Sequence, residues 1–509
     1  MSLRNESIRA ALGIVLLVCA AILIARSHGP MRDVRIAGAE VRVLEPTHSP
    51  QIGTAFVFHG LTGNRVIMLN MGQWLAAQGL RVYLPDAPGH GRTPGHFTHA
   101  GALESYLRIL AELERSGEIH PQTTVLAGHS LGGEMAIRLA DEFPAAATIA
   151  SSPAPMVLPH RLPENLLIVG AQFDMPPMKQ IAAEMIRAAG GQRYLPEDFA
   201  QKRAVRDVTL SWEAHASLIL DSRGNRLGAA WAREALGAAG PPNEPGGSPF
   251  AGEILGLGGL ALLFPLIATL LVRIFGAGRS EKTNRIAPRP VTLILLWALA
   301  GLIAVSILYF WSPLQPLHLY GGSYLAGFLL LVGASAGLPL AFQRWRDAAG
   351  SLPQDGKVPK SKSAAPILAG VVLGVMAAFG FTSWLSWQLT DISLNGPRGL
   401  AFVVLVPASL VYTYVEEVAV RSAGKSAARR LGFFFLLRAE LLVTLLFGYF
   451  VLLSGEVLMG LMAPYFAIIS LAQWLGADAI RRRTGSAGAA AVFGAILAAW
   501  FVAGVFPLA

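Results

Sequence analysis

The chain reads as two folding units in tandem: a mostly parallel α/β sheet domain flanked by helices, then an all-α polytopic transmembrane domain. Three observations predict this. Apolar runs of strand length recur between residues 54 and 212; a Pro/Gly stretch, GAAGPPNEPGGSP at 237–249, then breaks the chain. Beyond it, apolar residues gather into runs of about twenty, the length that crosses a hydrocarbon core as a helix. Composition agrees, with 53% hydrophobic and 14% charged residues and a mean hydropathy of +0.50, an apolar excess that a soluble domain does not carry.

The sheet domain is read strand by strand. Residues 125–133 (VLAGHSLGG) set Ser130 in a Gly-x-Ser-x-Gly sequence directly after an apolar run. A sharp strand-to-helix turn lifts such a serine out of the sheet, leaves no room for side chains at Gly128 and Gly132, and aims the free N–H groups of the next helix at a reacting carbonyl. His129 lies inside this elbow. Upstream, 54–59 (TAFVFH) reads as a buried strand running into Gly60 and Leu61, and 82–85 as a second leading to DAPGHG at 86–91. Downstream, 146–150 and 166–170 (LLIVG) are strands, the latter followed by Asp174, and 208–212 leads to His215. The chain order Ser130, Asp174, His215 suits a serine nucleophile with its acid and base. Asp207 and Asp221 compete for the acid's place, although neither directly follows an apolar strand. His59, His90 and His129 compete with His215 but lie inside turn motifs, and His160 reads as a surface residue. No His, Cys, Asp and Glu spacing suits a metal, so neither metal nor cofactor is expected, and the lone Cys19 allows no internal disulfide.

Together, HGLTG at 59–63, PDAPGHGRT at 85–93, GHSLGG at 128–133, Asp174 and His215 make residues from about 35 to about 236 resemble an α/β-hydrolase of the serine-aminopeptidase or monoglyceride-lipase-like branch. The resemblance implies Ser130 as nucleophile, His215 as general base and acid, and Asp174 as the group that orients His215. It also implies an oxyanion hole formed by the backbone N–H groups of Leu61 and Leu131. Many members of that family insert a helical lid before the strand bearing the acid. Here the gap 151–164 is too short for one, so the site's mouth is expected to be open, covered by 176–195, or roofed by the membrane.

Candidate spans fall at 8–25, 254–274, 291–311, 324–342, 366–385, 400–420, 433–453, 458–475 and 489–506. The first reads as an uncleaved signal anchor within residues 1–30, followed by the hydrolase domain at 31–236, the linker at 237–250 and about eight helices over 251–509. Basic residues cluster in alternate loops: Arg273, Arg279, Lys282, Arg285 and Arg289; Arg344, Arg346, Lys357, Lys360 and Lys362; Arg421, Lys425, Arg429 and Arg430; and Arg481, Arg482 and Arg483. The loops between, at 312–322, 390–399 and 454–456, carry almost none beyond Arg398. Because Lys and Arg are retained on the cytoplasmic side, a cell-membrane protein is expected with a cytoplasmic N-terminus and an extracytoplasmic hydrolase domain, periplasmic in a Gram-negative cell. The net charge of +9 is then met by the anionic inner leaflet and requires no nucleic-acid partner.

Glu416, Glu417, Arg438 and Glu440 stand inside predicted spans, where snorkelling or a pairing of Arg438 with Glu416 or Glu417 would satisfy them. Residues 416–421 (EEVAVR) look like the Glu-Glu-x-x-x-Arg motif of the CAAX-protease-like family. No histidine follows His318, so any relationship is to a degenerate, inactive form. The functional expectation is a membrane-anchored serine hydrolase acting on an ester, thioester or amide in a lipid, acylated molecule or peptide. The alternatives are an acyltransferase, or a transporter or scaffold with a non-catalytic hydrolase module; sequence leaves the oligomeric state open.

Overall fold

The computed structural model describes residues 3–27, 29–47, 50–238, 240–247, 249–276, 289–349, 364–394, 396–424, 426–452 and 462–509. Arg279, Lys282, Arg285, Lys357, Lys360, Lys362, Lys425 and the loop at 454–456 lie outside them. Two compact units emerge. The sheet unit gathers Leu16–Leu257, Thr382–Ser393 and Pro507–Ala509; the helical unit gathers Met1–Val15, Gly258–Phe381 and Leu394–Phe506.

The sheet unit is built on eight strands: β1 (Met31–Ile36), β2 (Ala39–Leu44), β3 (Gly53–Phe58), β4 (Leu80–Pro85), β5 (Thr124–His129), β6 (Ala147–Ser151), β7 (Leu166–Ala171) and β8 (Val205–Leu210), in the order β1-β2-β4-β3-β5-β6-β7-β8. From β4 through β8 all neighbours are parallel, while β2 runs antiparallel to both β1 and β4. The β1–β2 hairpin turns on Ala37 (φ 48°) and Gly38 (φ 84°), the two positive φ angles of a tight hairpin whose twist matches its strands.

Strands β3, β5 and β6 are buried along their whole length, so their side chains divide between two cores by simple alternation. Ala55, Val57, Val125 and Ala127 face one core with Leu75 of α2 (Leu69–Ala76) and Trp231 of α7 (Ser222–Ala235), the helices α1 (Leu3–Ser27), α3 (His99–Arg115), α4 (Leu131–Glu142), α5 (Pro176–Ala188) and α6 (Pro196–Ala200) lying between in chain order. Phe56, Phe58 and Leu126 face the other with Tyr106 of α3 and Met135 of α4. No helix interrupts 152–165, in keeping with the short gap.

The remaining helices are α8 (Pro249–Ile274), α9 (Pro290–Phe310), α10 (Gly322–Ala349), α11 (Ala365–Leu385), α12 (Gly396–Ser422), α13 (Ala427–Leu452), α14 (Ala463–Thr484) and α15 (Ala487–Val505). Eight described helices, α1, α8 to α13 and α15, contain stretches long and apolar enough to cross a membrane. Of the span expected at 458–475, residues 458–461 lie outside the described residues; the helix that carries the rest, α14, continues past it to Asp478 and Arg481, Arg482 and Arg483.

Within the helical unit, Glu416 and Glu417 are paired with arginines, while Glu440 has no ion-pair partner among the described residues. Arg438 of α13 grips Glu416 of α12 with two nitrogens, at 2.5 and 2.8 Å, and Glu417 receives Arg421 at 2.8 Å and Arg481 at 2.7 and 2.8 Å. A charge removed from water survives only with such partners, and the sequence-level pairing of Arg438 is met by Glu416. Arg398, the solitary cation of its loop, donates to the carbonyls of Ala503, Gly504 and Phe506 at 2.7, 3.1 and 2.8 Å. It thereby satisfies carbonyls at the end of α15 that no helical N–H can reach.

Candidate active site

Ser130 sits between β5 and α4 with φ 57° and ψ −120°, a backbone state that a non-glycine residue holds only under constraint. The constraint is the crossing of neighbouring backbones. A Cβ on Gly128 would overlap the carbonyl of Gly132, and a Cβ on Gly132 would overlap that of Phe58, so both glycines are required. The Ser130 N–H donates to Ser151 O at 2.9 Å and its carbonyl accepts from Ala154 at 3.0 Å, fixing the turn to the end of β6.

Asp174 and His215 stand on the loops after β7 and β8, at the carboxyl edge of the parallel sheet, and meet there. His215 Nδ1 lies 2.9 Å from Asp174 Oδ1, and the loops are joined by Phe173 N–H to Glu213 O at 2.9 Å. Because a carboxylate in this pairing accepts, the proton belongs on Nδ1, which leaves the Nε2 lone pair available. Nε2 is buried and has no hydrogen-bond partner among the described residues. Ser130, Asp174 and His215 are 8%, 7% and 7% exposed, a site shielded yet reachable. The rivals are placed elsewhere: Asp207 lies within β8, and Asp221 caps α7 and bonds Arg223. His160 is exposed.

Sequence reading missed Ser152, whose hydroxyl donates to the second oxygen of Asp174. The Met175 N–H adds a bond to Oδ1 at 2.9 Å. Burial pushes the Asp174 carboxyl up, but the bonds from His215, Ser152 and Met175 outweigh it and hold the group below its ordinary value. No local signal marks Ser152, since only the juxtaposition of β6 and β7 brings it to Asp174.

His129 is more than part of the elbow: its Nε2 donates to the backbone carbonyl of His215 at 2.9 Å, with the two rings 4.7 Å apart. Burial and the neighbouring His215 press its pKa down to about 3, so it acts as a neutral strut. His59 is likewise neutral, pushed by burial to about 4; its Nε2 accepts the Ala87 N–H at 3.0 Å and its Nδ1 faces Gly60 O at 2.8 Å.

Of the two expected oxyanion donors, Leu131 opens α4, where N–H groups have no carbonyl one turn back. Leu61 follows Gly60, at which a Cβ would come within 3.4 Å of the Ser130 Cβ, so this loop passes directly against the serine. The Leu61 carbonyl is held by His90 Nε2 at 2.5 Å. Beside the acid and base, the rings of Phe173 and Trp212 are 6.1 Å apart and 58% and 82% exposed, Trp212 with φ 65°.

The strand order, the strained serine turn and the acid–histidine pair define the class of this unit, an α/β-hydrolase fold. Residues 49–213 match the family described as serine aminopeptidase, S33. Over 111 residues the chain is 34% identical to "Putative acetyl-hydrolase LipR" of Mycobacterium tuberculosis, covering 21% of this chain and 34% of that protein. Over 82 residues it is 29% identical to "Uncharacterized protein YfhR" of Escherichia coli, covering 16% and 29%. The chain therefore spans about a third of the length of the curated relatives it matches. Among solved structures, TT1662 from Thermus thermophilus is similar at 21% identity, over 42% of this chain and 100% of that one, with a TM-score of 0.33.

Proposed function

We propose that the protein is a membrane-anchored serine hydrolase that cleaves esters of lipids or other acylated molecules at a membrane surface. The observation that carries this is the Asp174–His215 pair, with Nε2 unpartnered and buried beside the Ser130 elbow. Ser130 Oγ attacks the carbonyl carbon while its proton passes to His215 Nε2, and the oxyanion rests on the N–H groups of Leu61 and Leu131. The imidazolium, stabilised by Asp174, protonates the leaving alcohol. Water, deprotonated by His215, then attacks the acyl-enzyme and releases the acid and the free serine. The exposed Phe173 and Trp212 beside the site support an apolar acyl chain over a peptide, since an exposed aromatic patch at a cleft marks an apolar partner.

The topology reading gains support from the contacts of the sheet unit. Thr390 after α11 accepts from Asn64, and Leu508 after α15 accepts from Phe97, both partners being in loops of the sheet unit, so the chain after α11 and the chain after α15 share the compartment of the sheet. Passing from one to the other requires an even number of crossings. Helices α12, α13 and α15 supply three, which makes α14 the fourth, with Arg481, Arg482 and Arg483 at its far end on the basic, cytoplasmic side. The hydrolase then lies outside the cytoplasm.

Labelling of membranes holding the full chain with a fluorophosphonate tests the chemistry. Wild type is expected to label, and Ser130→Ala and His215→Ala are expected not to. A folded wild type that stays unlabelled would refute the reading and bring the transporter or scaffold alternative forward.

A further inference from the structure

The loop beside Ser130 is braced by residues more than three hundred positions away. Asn64, which closes the run HGLTGN, donates from Nδ2 to Thr390 Oγ1 at 2.9 Å and to the Asp391 carbonyl at 3.4 Å, while its Oδ1 accepts the Asp391 N–H at 3.2 Å. Its neighbour Arg65, whose side chain is 0% exposed, reaches Asp391 Oδ2 at 2.6 Å, Asp86 Oδ2 at 2.5 Å and Asp33 Oδ2 at 3.2 Å. Arg42 pairs with Asp33 at 2.7 Å and Arg92 with Asp391 at 2.8 Å, so three guanidinium groups meet three carboxylates. Asp86 also takes the Arg65 and Arg92 backbone N–H groups at 2.7 and 3.0 Å. Leu389 adds an apolar anchor on the sheet's core, and Trp384 Nε1 donates to Glu253 O at 3.1 Å.

We propose that Asp391 is a positioning residue of the hydrolytic site, and that the segment Thr382–Ser393 holds the Leu61 loop in its working geometry. This rests on the serine-hydrolase reading. Leu61 is three residues from Asn64, and the Gly63 N–H to Gly60 O bond at 2.9 Å makes the intervening chain a tight turn, so a shift at Asn64 passes directly to the Leu61 N–H. The other hold on Leu61, His90, belongs to a loop that is itself pinned from afar: Leu508 donates to Gly89 O at 3.0 Å and accepts from Phe97 N–H at 2.6 Å. Both supports of this loop thus depend on chain that follows or joins the membrane-span candidates. Asp391 is the separable one, because Arg65 keeps Asp86 and Asp33 when Asp391 is lost and no buried cation is left bare. Misplacing an oxyanion donor by about an ångström slows the chemical step without weakening ground-state binding.

The test uses the full-length chain in detergent, with p-nitrophenyl butyrate turnover expressed per serine titrated to completion by a fluorophosphonate. Asp391→Ala and Asn64→Ala are each expected to lower kcat about 10- to 100-fold with KM within about twofold, and Asp391→Asn, whose amide oxygen can still accept from Arg65, to lose less. Variants that match wild type per titrated serine, or that lose only the number of titratable serines, overturn the proposal, the second result meaning a purely structural role. A wild type that neither labels nor turns over instead removes the serine-hydrolase reading, and this proposal with it.

Discussion

His215 Nδ1 and Asp174 Oδ1 lie 2.9 Å apart across the ends of two adjacent parallel strands, β7 and β8, whose register from Leu166–Val205 to Ala171–Leu210 sets the loops that carry them side by side. The pair exists because neighbouring strands deliver both loops to one edge of the sheet. It fixes which nitrogen of His215 is free.

Asp174→Asn should therefore leave the fold intact while permitting the wrong tautomer, since an amide can donate to Nδ1. The expected loss is about 10⁴-fold in kcat on a soluble ester, read by steady-state kinetics beside a circular dichroism spectrum. A loss below tenfold would mean that another carboxylate orients the imidazole.

Gly132→Ala should be severe for a different reason. Its methyl would overlap the Phe58 carbonyl, and neither backbone can yield without moving the elbow. We expect destabilisation of about 3 kcal/mol together with loss of probe labelling; a thermal unfolding midpoint equal to wild type would contradict the packing described.

Acid should unfold the sheet unit through its buried histidines. His59 and His129 have folded values of about 4 and 3 against 6.5 when unfolded. At intermediate pH the unfolded chain binds protons that the folded chain refuses. Stability is thus fully present above about pH 6.5 and falls as pH drops towards 4 and 3. Asp33 adds a smaller loss of the same sign at lower pH: burial raises it, but Arg42 and Arg65 bring it to about 2. Unfolding midpoints followed by tryptophan fluorescence should decline between pH 7 and 4, less steeply in His129→Gln.

Trp212→Ala removes an 82% exposed ring and so should cost little stability. We expect about tenfold weaker turnover of a long-chain ester in vesicles, with hydrolysis of a short soluble ester preserved. Equal losses on both substrates would assign Trp212 to the architecture of the His215 loop.

Glu416→Leu or Arg438→Met alone leaves a partner charged and bare, at a cost of about 3–5 kcal/mol, whereas the double substitution should recover most of it. Denaturation in detergent separates this paired, structural role from a functional one, for which the double variant would lose activity while stable.

The nucleophile elbow, the order of the three site residues and the apolar helices were legible because each is written locally. A glycine spacing, an apolar run and a run's length need no knowledge of the rest of the chain. The β1–β2 hairpin was not recognised, because strands at the edge of a sheet alternate weakly in burial, β1 following the pattern intermediate, exposed, exposed, intermediate, exposed, buried. The full extent of α14 was not legible, because a hydropathy window does not register where a helix ends. The last turn of α14 is cationic, and Arg481 is accommodated by Asp478 on its own helix and by Glu417, which only the fold brings from α12.

What the sequence by itself determined is the chemistry-bearing inventory and its order: a serine forced into a strained turn by Gly128 and Gly132, an acid and a histidine after successive strands, and a chain half made of apolar helices. Only the tertiary structure decided which groups share a hydrogen bond. Ser152 on Asp174, His129 on the His215 carbonyl, and Asp391 on Asn64 and Arg65 are contacts between residues 22, 86, and 327 and 326 positions apart. The physical reason is range. Backbone strain and hydrophobic periodicity act over a few residues and leave their mark in the sequence, whereas a hydrogen bond across the fold requires only that two polar atoms arrive within about 3 Å, and nothing near either residue records its partner.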